Sequence, residues 1–186
     1  MRVVGGTARG RRLRAPPGGA VRPTADRVRE AVFNMVRSRR AVEGADVVDL
    51  FAGTGALGIE ALSQGAAAVT FVERDVGAIR TIRANLASTG LEGAEHDGRA
   101  RVVRSDVLGW LAAHSGQAFD VALCDPPYGF EEWEELLQAL SAGLAVLESD
   151  REISLGPEWE TLKTKRYGST VVTLARGFPD HAKGPM

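Results

Sequence analysis

The sequence predicts an α/β fold, a seven-stranded, mostly parallel sheet with helices on both faces, closed by an antiparallel hairpin and preceded by a small N-terminal hairpin arm. From Asp46 onward, apolar runs alternate with amphipathic segments five times, the pattern of strand–helix units wound into a parallel sheet. Ser149 to Glu158 is too short and too proline-bearing for another crossover helix, so the last two strands must pair with each other. A chain of 186 residues, 44% hydrophobic and 25% charged, has the size and composition of one folded core.

The elements follow in order. Arg2-Val3-Val4 and Arg12-Leu13-Arg14 are short alternating runs around Gly5-Gly6-Thr7, followed by Pro16-Pro17-Gly18-Gly19, which predicts the hairpin arm. Thr24 is placed to cap a helix carrying Val28, Val32, Met35 and Val36 at helical spacing and ending near Arg40, with Asp26 in its positive first turn. Val47 to Phe51 reads as a strand, Leu57 to Gln64 as a helix, Val69 to Val72 as a strand and Val76 to Thr89 as a helix. Arg101 to Arg104 precedes a shorter helix with Val107, Leu108 and Leu111. Phe119 to Cys124, a helix over Glu131 to Ala142 and a strand at Leu144 to Leu147 complete the alternation. Leu162 to Arg166 and Thr170 to Leu174 flank Tyr167-Gly168-Ser169 as the closing hairpin, and the last ten residues read as frayed. The expected division is a basic arm over 1–23 and a catalytic body over 24–186.

Charge is unevenly spread. The first 40 residues hold eleven arginines and no lysine against Asp26 and Glu30, a formal +9, whereas the rest carries 12 basic and 22 acidic residues, −10. An arginine-rich segment joined to an acidic body is the pattern of a phosphate-backbone grip on a binding or catalytic domain. Arg2, Arg9, Arg11, Arg12, Arg14, Arg22 and Arg27, with Thr24, are the candidate nucleic-acid contacts. No apolar run approaches the roughly 18–20 residues of a membrane span, and the N-terminus lacks a signal-peptide segment; a cytoplasmic monomer is the expectation. Cys124 is the single cysteine and His96, His114 and His181 are scattered, so neither disulfide nor metal spacing is present and no metal is expected.

Chemistry-bearing residues sit where strands give way to helices. In Asp49-Leu50-Phe51-Ala52-Gly53-Thr54-Gly55 a strand runs into a glycine-rich turn, whose glycines let a ligand lie against the main chain. Glu73 ends the next strand, where a carboxylate can accept ribose hydroxyls, so the expected ligand contains a nucleoside. Gly53, Gly55 and Gly58 also satisfy G-x-G-x-x-G, leaving a dinucleotide site as a competing reading. Asp106 follows the third strand and suits either an adenine amino group or a helix cap. Asp125-Pro126-Pro127-Tyr128 follows the fourth strand. Its prolines donate no hydrogen bonds and hold carbonyl acceptors in a rigid turn. Such acceptors with the Asp125 carboxylate can bind an exocyclic amine and aim its lone pair at a methyl donor, while Tyr128 stacks on the base.

These motifs, in this order, resemble those of class I methyltransferases acting on exocyclic amines. Val4-Gly5-Gly6, Arg9-Gly10-Arg11, Leu13, Pro16, Gly18, Arg22-Pro23-Thr24, Arg27 to Ala31, Phe33-Asn34, Asp49 to Ala66 and Lys165 to Gly168 narrow the resemblance to the RsmD family. The resemblance implies a Rossmann-like fold, S-adenosylmethionine as cofactor, and methylation of a guanine 2-amino group in small-subunit ribosomal RNA. It implies that Asp49 and Phe51, Ala52, Gly53, Thr54 and Gly55 cradle the methionine part, that Glu73 with Arg74 meets the ribose and that Asp106 with Val107 meets the adenine. Asp125 to Tyr128 would hold the target amine, and Arg22, Thr24 and Arg27 would border the cleft. The implied partner is ribosomal RNA, within a small-subunit assembly particle.

Rival readings use the same residues. An adenine-amino methyltransferase needs the same acceptor array, a glutamine-amide methyltransferase usually has Asn where Asp125 stands, and an RNA-binding assembly factor or a dinucleotide oxidoreductase would leave the array unused. Cys124, ending a buried strand, suits packing rather than nucleophilic attack. The acidic run from Glu131 to Glu135 suits a helix N-terminus, and Trp110, Trp133 and Trp159 suit the core or its rim.

Overall fold

The computed structural model describes residues 1–14, 23–37 and 41–178. Its helices are α1 (Pro23–Arg37), α2 (Ala56–Ser63), α3 (Val76–Ser88), α4 (Val107–Ala113) and α5 (Trp133–Ala139). Its strands are β1 (Asp46–Leu50), β2 (Ala68–Glu73), β3 (Ala100–Arg104), β4 (Ala118–Cys124), β5 (Ser141–Ser149), β6 (Trp159–Tyr167) and β7 (Thr170–Gly177). They form one seven-stranded sheet in the order β3-β2-β1-β4-β5-β7-β6. The first five are parallel and β7 is antiparallel to both β5 and β6, as the pattern predicts. Strand order reverses between β1 and β4, and the crevice at such a reversal, beyond the carboxyl ends of the strands, is where open α/β sheets bind ligands.

Alternating side chains of the buried strands feed two apolar layers. Val47, Phe71 and Val121 face a layer with the N-terminal segment and α1 to α3, whereas Val48, Val72 and Ala122 face α4 and α5. The arm is part of the first layer. Arg2 and Arg12 form an antiparallel bridge, and Val3, Ala8 and Leu13 are buried in the core. Gly6, at φ 72°, runs so close to α2 that a Cβ would lie 1.6 Å from the Ser63 carbonyl oxygen. Beside it the Thr7 N–H donates to that oxygen at 2.8 Å.

Element bounds differ from expectation at three places with physical reasons. α1 takes in Pro23 ahead of the expected cap Thr24, because proline's fixed φ suits the first helical position; Ser38 to Arg40, where its end was expected, lie outside the described residues, as does the tail from 179 to 186. Phe51 leaves β1 at φ 61° and opens the turn instead of extending the strand. α5 ends at Ala139 and β5 starts at Ser141. Ser141 and Ala142 pair with Ala118 and Phe119 of β4, and this sheet register overrides the weak helical preference of Ser-Ala-Gly.

Candidate active site

The glycine turn leaves β1 at the order reversal and is fixed from three sides. The Ala52 N–H donates to the Val72 carbonyl at 3.1 Å and the Gly55 N–H closes on Ala52 O at 2.7 Å. Gly53 (φ 54°) and Gly55 (φ 75°) sit in the left-handed region, which side chains disfavour. Glu73 Oε2 accepts the Gly53 N–H at 2.8 Å and Oε1 accepts the Asp75 N–H at 2.8 Å. One lone pair on each oxygen stays open, the number a ribose diol needs. Arg74 beside it is exposed. Asp49 lies buried beneath the turn, where Oδ2 accepts the Gly58 N–H at 2.8 Å. Desolvation pushes its carboxyl well above the usual range, against the Gly58 hydrogen bond and with the Asp125 and Glu73 charges. A Cβ on Gly58 would lie 2.3 Å from the Phe71 ring, so the third glycine of the turn serves helix–strand packing.

Asp106 caps α4, its Oδ2 accepting the Gly109 N–H at 3.0 Å, which leaves Oδ1 open as an acceptor. Val107 is buried in the second apolar layer. The glycine turn, the open Glu73 lone pairs and the second Asp106 oxygen lie at the carboxyl ends of the neighbouring strands β1, β2 and β3, a set of polar groups suited to a nucleoside carrying a charged amino-acid tail.

Asp125 to Tyr128 emerge from β4 on the other side of the reversal. They line a cavity of about 260 Å³ with Phe130, Trp133, Glu148 and the turn Gly168-Ser169-Thr170, and Val28 of α1 adds to its wall. Asp125 is open to solvent at the cavity while protein atoms crowd around its carboxyl, and that desolvation pushes it up to about 6. Tyr128 is 61% exposed, as a stacking ring must be. The proline carbonyls are not all free: Pro127 O accepts the Phe130 N–H at 3.2 Å. Phe130 meets Phe51 edge-on at 5.2 Å and Trp133 at 5.3 Å between centroids, so an aromatic chain ties the glycine turn to the acceptor turn. Cys124 is buried with its thiol pushed far up by desolvation, which suits packing.

Three buried polar residues, Asn85, Glu60 and Arg29, have scaffold roles that the motifs do not reveal. Asn85 on α3 donates through Nδ2 to Thr54 O at 2.9 Å and Arg14 O at 3.2 Å, and its Oδ1 accepts the Arg14 N–H at 2.7 Å. Glu60 accepts the N–H groups of Val4 and Gly5, both at 2.7 Å. It also faces Arg29 at 3.7 Å, which donates to the Arg2 carbonyl. The Asn85 bonds seat the end of the described arm against the glycine turn. Arg2, Arg9, Arg11, Arg12 and Arg14 are all exposed, with Arg2 donating to Gly10 O at 2.7 Å. Arg22 lies outside the described residues, and Thr24 and Arg27 are placed in the first turns of α1 by their backbone alone.

The fold and this pair of facing turns define a class I, S-adenosylmethionine-dependent methyltransferase. The family described as Conserved hypothetical protein 95 matches residues 1–176, and the chain belongs to this family, the RsmD family. It is 39% identical over 187 residues to the Bacillus subtilis protein YlbH, covering 94% of this chain and 97% of that one. It is 39% identical over 140 residues to the Escherichia coli K12 protein named ribosomal RNA small subunit methyltransferase D, covering 75% of this chain and 66% of that protein. The solved structure of Escherichia coli yhhF superposes with a TM-score of 0.80 at 34% identity, covering 95% of this chain and 97% of that chain.

Proposed function

We propose that the chain transfers a methyl group from S-adenosylmethionine to the exocyclic 2-amino group of a guanine in small-subunit ribosomal RNA. The observation that carries the reading is the cavity beyond the carboxyl ends of β4 and β5, lined by the Asp125 turn and exposed Tyr128, with that turn joined to the glycine turn through the Phe51–Phe130 contact. Relatives named for small-subunit ribosomal RNA methylation support the substrate, and exposed arginines on a firmly seated arm support an RNA backbone contact. Residues 1–23 would hold RNA and 24–186 would carry the chemistry, in a cytoplasmic monomer acting on an assembling small subunit.

Glu73 and Asp106 would hold the ribose and adenine of the cofactor, and the turn Phe51 to Gly55 its methionine part. When bound, S-adenosylmethionine supplies an electrophilic methyl on a sulfonium. A base in this cavity must have left its stack. Tyr128 covers its face while Asp125 and the Pro126 carbonyl accept the amine hydrogens, turning the nitrogen lone pair toward the methyl. As the N–C bond forms and the S–C bond breaks, Asp125 stabilises the charge growing on nitrogen. With its carboxyl near 6, it is suited to take the departing proton at neutral pH and pass it to solvent.

The test supplies heavy-methyl S-adenosylmethionine with small subunits lacking native modifications and, separately, with naked small-subunit RNA, followed by nucleoside analysis. Heavy label in 2-methylguanosine is expected. Label in methyladenosine would replace this reading with the adenine-amino one, and no label in any nucleoside, with cofactor binding intact, would favour an assembly factor.

A further inference from the structure

Resting on the guanine-amine reading above, we propose that the Glu148 carboxylate accepts the N1–H of the target guanine while the Asp125 turn holds its 2-amino group, making Glu148 the residue that selects guanine over adenine.

The sheet register brings the two together. Cys124 of β4 pairs with Leu147 of the parallel neighbour β5. Asp125 and Glu148 are therefore the next residues in the same row, on strands about 4.8 Å apart, and both line the cavity. The third carboxylate there, Asp150, is taken up by Arg151 at 3.0 Å. The Glu148 carboxylate accepts no hydrogen bond from a described residue, although the residue is half-buried. Two adjacent acceptors form a mould for two adjacent donors. Guanine offers that edge in N1–H and the 2-amino group, whereas adenine offers its amino donor beside the N1 lone pair. A carboxylate facing that lone pair repels it, and a polar edge left unpaired in a desolvated site is costly. Burial and the charges of Asp125 and Asp49 push the Glu148 carboxyl up, opposed by Arg29; donors set against both carboxyls favour their ionised, accepting forms, and the guanine edge supplies two.

The test compares kcat/KM for small subunits carrying guanine or 2-aminopurine at the methylated position, mapped beforehand with the wild-type enzyme. 2-Aminopurine keeps the 2-amino group but presents a lone pair at N1. The wild type is expected to favour guanine by about 100-fold or more. Glu148→Gln, whose amide can donate to that lone pair, should lower guanine turnover and narrow the preference at least about tenfold, with the S-adenosylmethionine Kd within about twofold of the wild type. A merely structural role would lower both substrates together, and a preference unchanged in Glu148→Gln overturns the assignment. Should that variant fail to fold, a wild-type enzyme indifferent between the two bases overturns it equally, and Glu148→Asp should retain the guanine preference. Failure of the underlying reading is separately visible, as a wild-type product other than 2-methylguanosine in the mapping step.

Discussion

Asn85 Nδ2 donates to the Thr54 carbonyl at 2.9 Å, joining the last turn of the third helix to the apex of the glycine turn. The same amide holds both backbone polar groups of Arg14, so one fully buried side chain sets the turn against the arm. Asn85→Ala leaves several polar groups without partners and should cost about 2–3 kcal/mol. Denaturant unfolding measures this loss, and calorimetric titration should show weaker S-adenosylmethionine binding because the turn loses its support.

Glu60 holds the arm from the other side. With side chains only 3% and 0% exposed, Arg29 and Glu60 face each other at 3.7 Å, and Glu60→Ala would remove the carboxylate facing the buried arginine and leave the Val4 and Gly5 N–H groups without their acceptor. Losing one partner of a buried pair costs about 3–5 kcal/mol. The expected outcome is a lower urea midpoint together with proteolytic cleavage in the first 14 residues under conditions that spare the wild type.

The charge of the arm is a separate matter from its seat. Replacing the exposed Arg9, Arg11 and Arg12 by glutamate should weaken RNA binding and lower the slope of log affinity against log salt by about 0.7–0.9 for each phosphate no longer neutralised. Stability should change little, since these guanidinium groups lie on the surface. An unchanged slope in a filter-binding titration would remove the arm from RNA recognition.

Much of this architecture is legible in the chain. The alternation of apolar runs and the glycine turn fix the parallel sheet, and the short proline-bearing stretch before Trp159 fixes its antiparallel close. The start of β5 is not legible, because Ser141 to Gly143 favour no state strongly and become strand only by pairing with β4. Glu73, Asp106 and Asp125 stand out as carboxylates at the carboxyl ends of strands. Glu148 shares that signal at the end of β5, but without a motif around it only the register shows that it lies beside Asp125. Asn85 sits at helical spacing from Ile82 and Ile79, a polar residue on an apolar face, which marks it in sequence as a buried anchor without naming its partners.

pH should act on the amine site in two opposite senses. The Asp125 carboxyl is raised to about 6 in the folded chain, so the acceptor is lost as pH falls through that value, and kcat/KM should drop on the acid side. Stability runs the other way: a raised carboxyl makes the ionised form unfavourable in the fold, so its stabilising contribution is present at low pH and lost as pH rises through about 6. Asp125→Asn should therefore raise Tm above pH 7 relative to the wild type, with the gain vanishing below about pH 4. Paired pH–rate and pH–Tm profiles of the two proteins check both signs.

The central claim is that the Asp125 turn orients a guanine 2-amino group toward a methyl donor held by the facing glycine turn. Its most direct measurement is single-turnover methyl transfer to unmodified small subunits at saturating S-adenosylmethionine, by wild type and Asp125→Ala, with the product nucleoside identified. The account predicts 2-methylguanosine from the wild type, and from the variant an unchanged cofactor Kd with a rate lower by about 100-fold or more. A normal rate in Asp125→Ala, or a wild-type product methylated at any other atom, would contradict it.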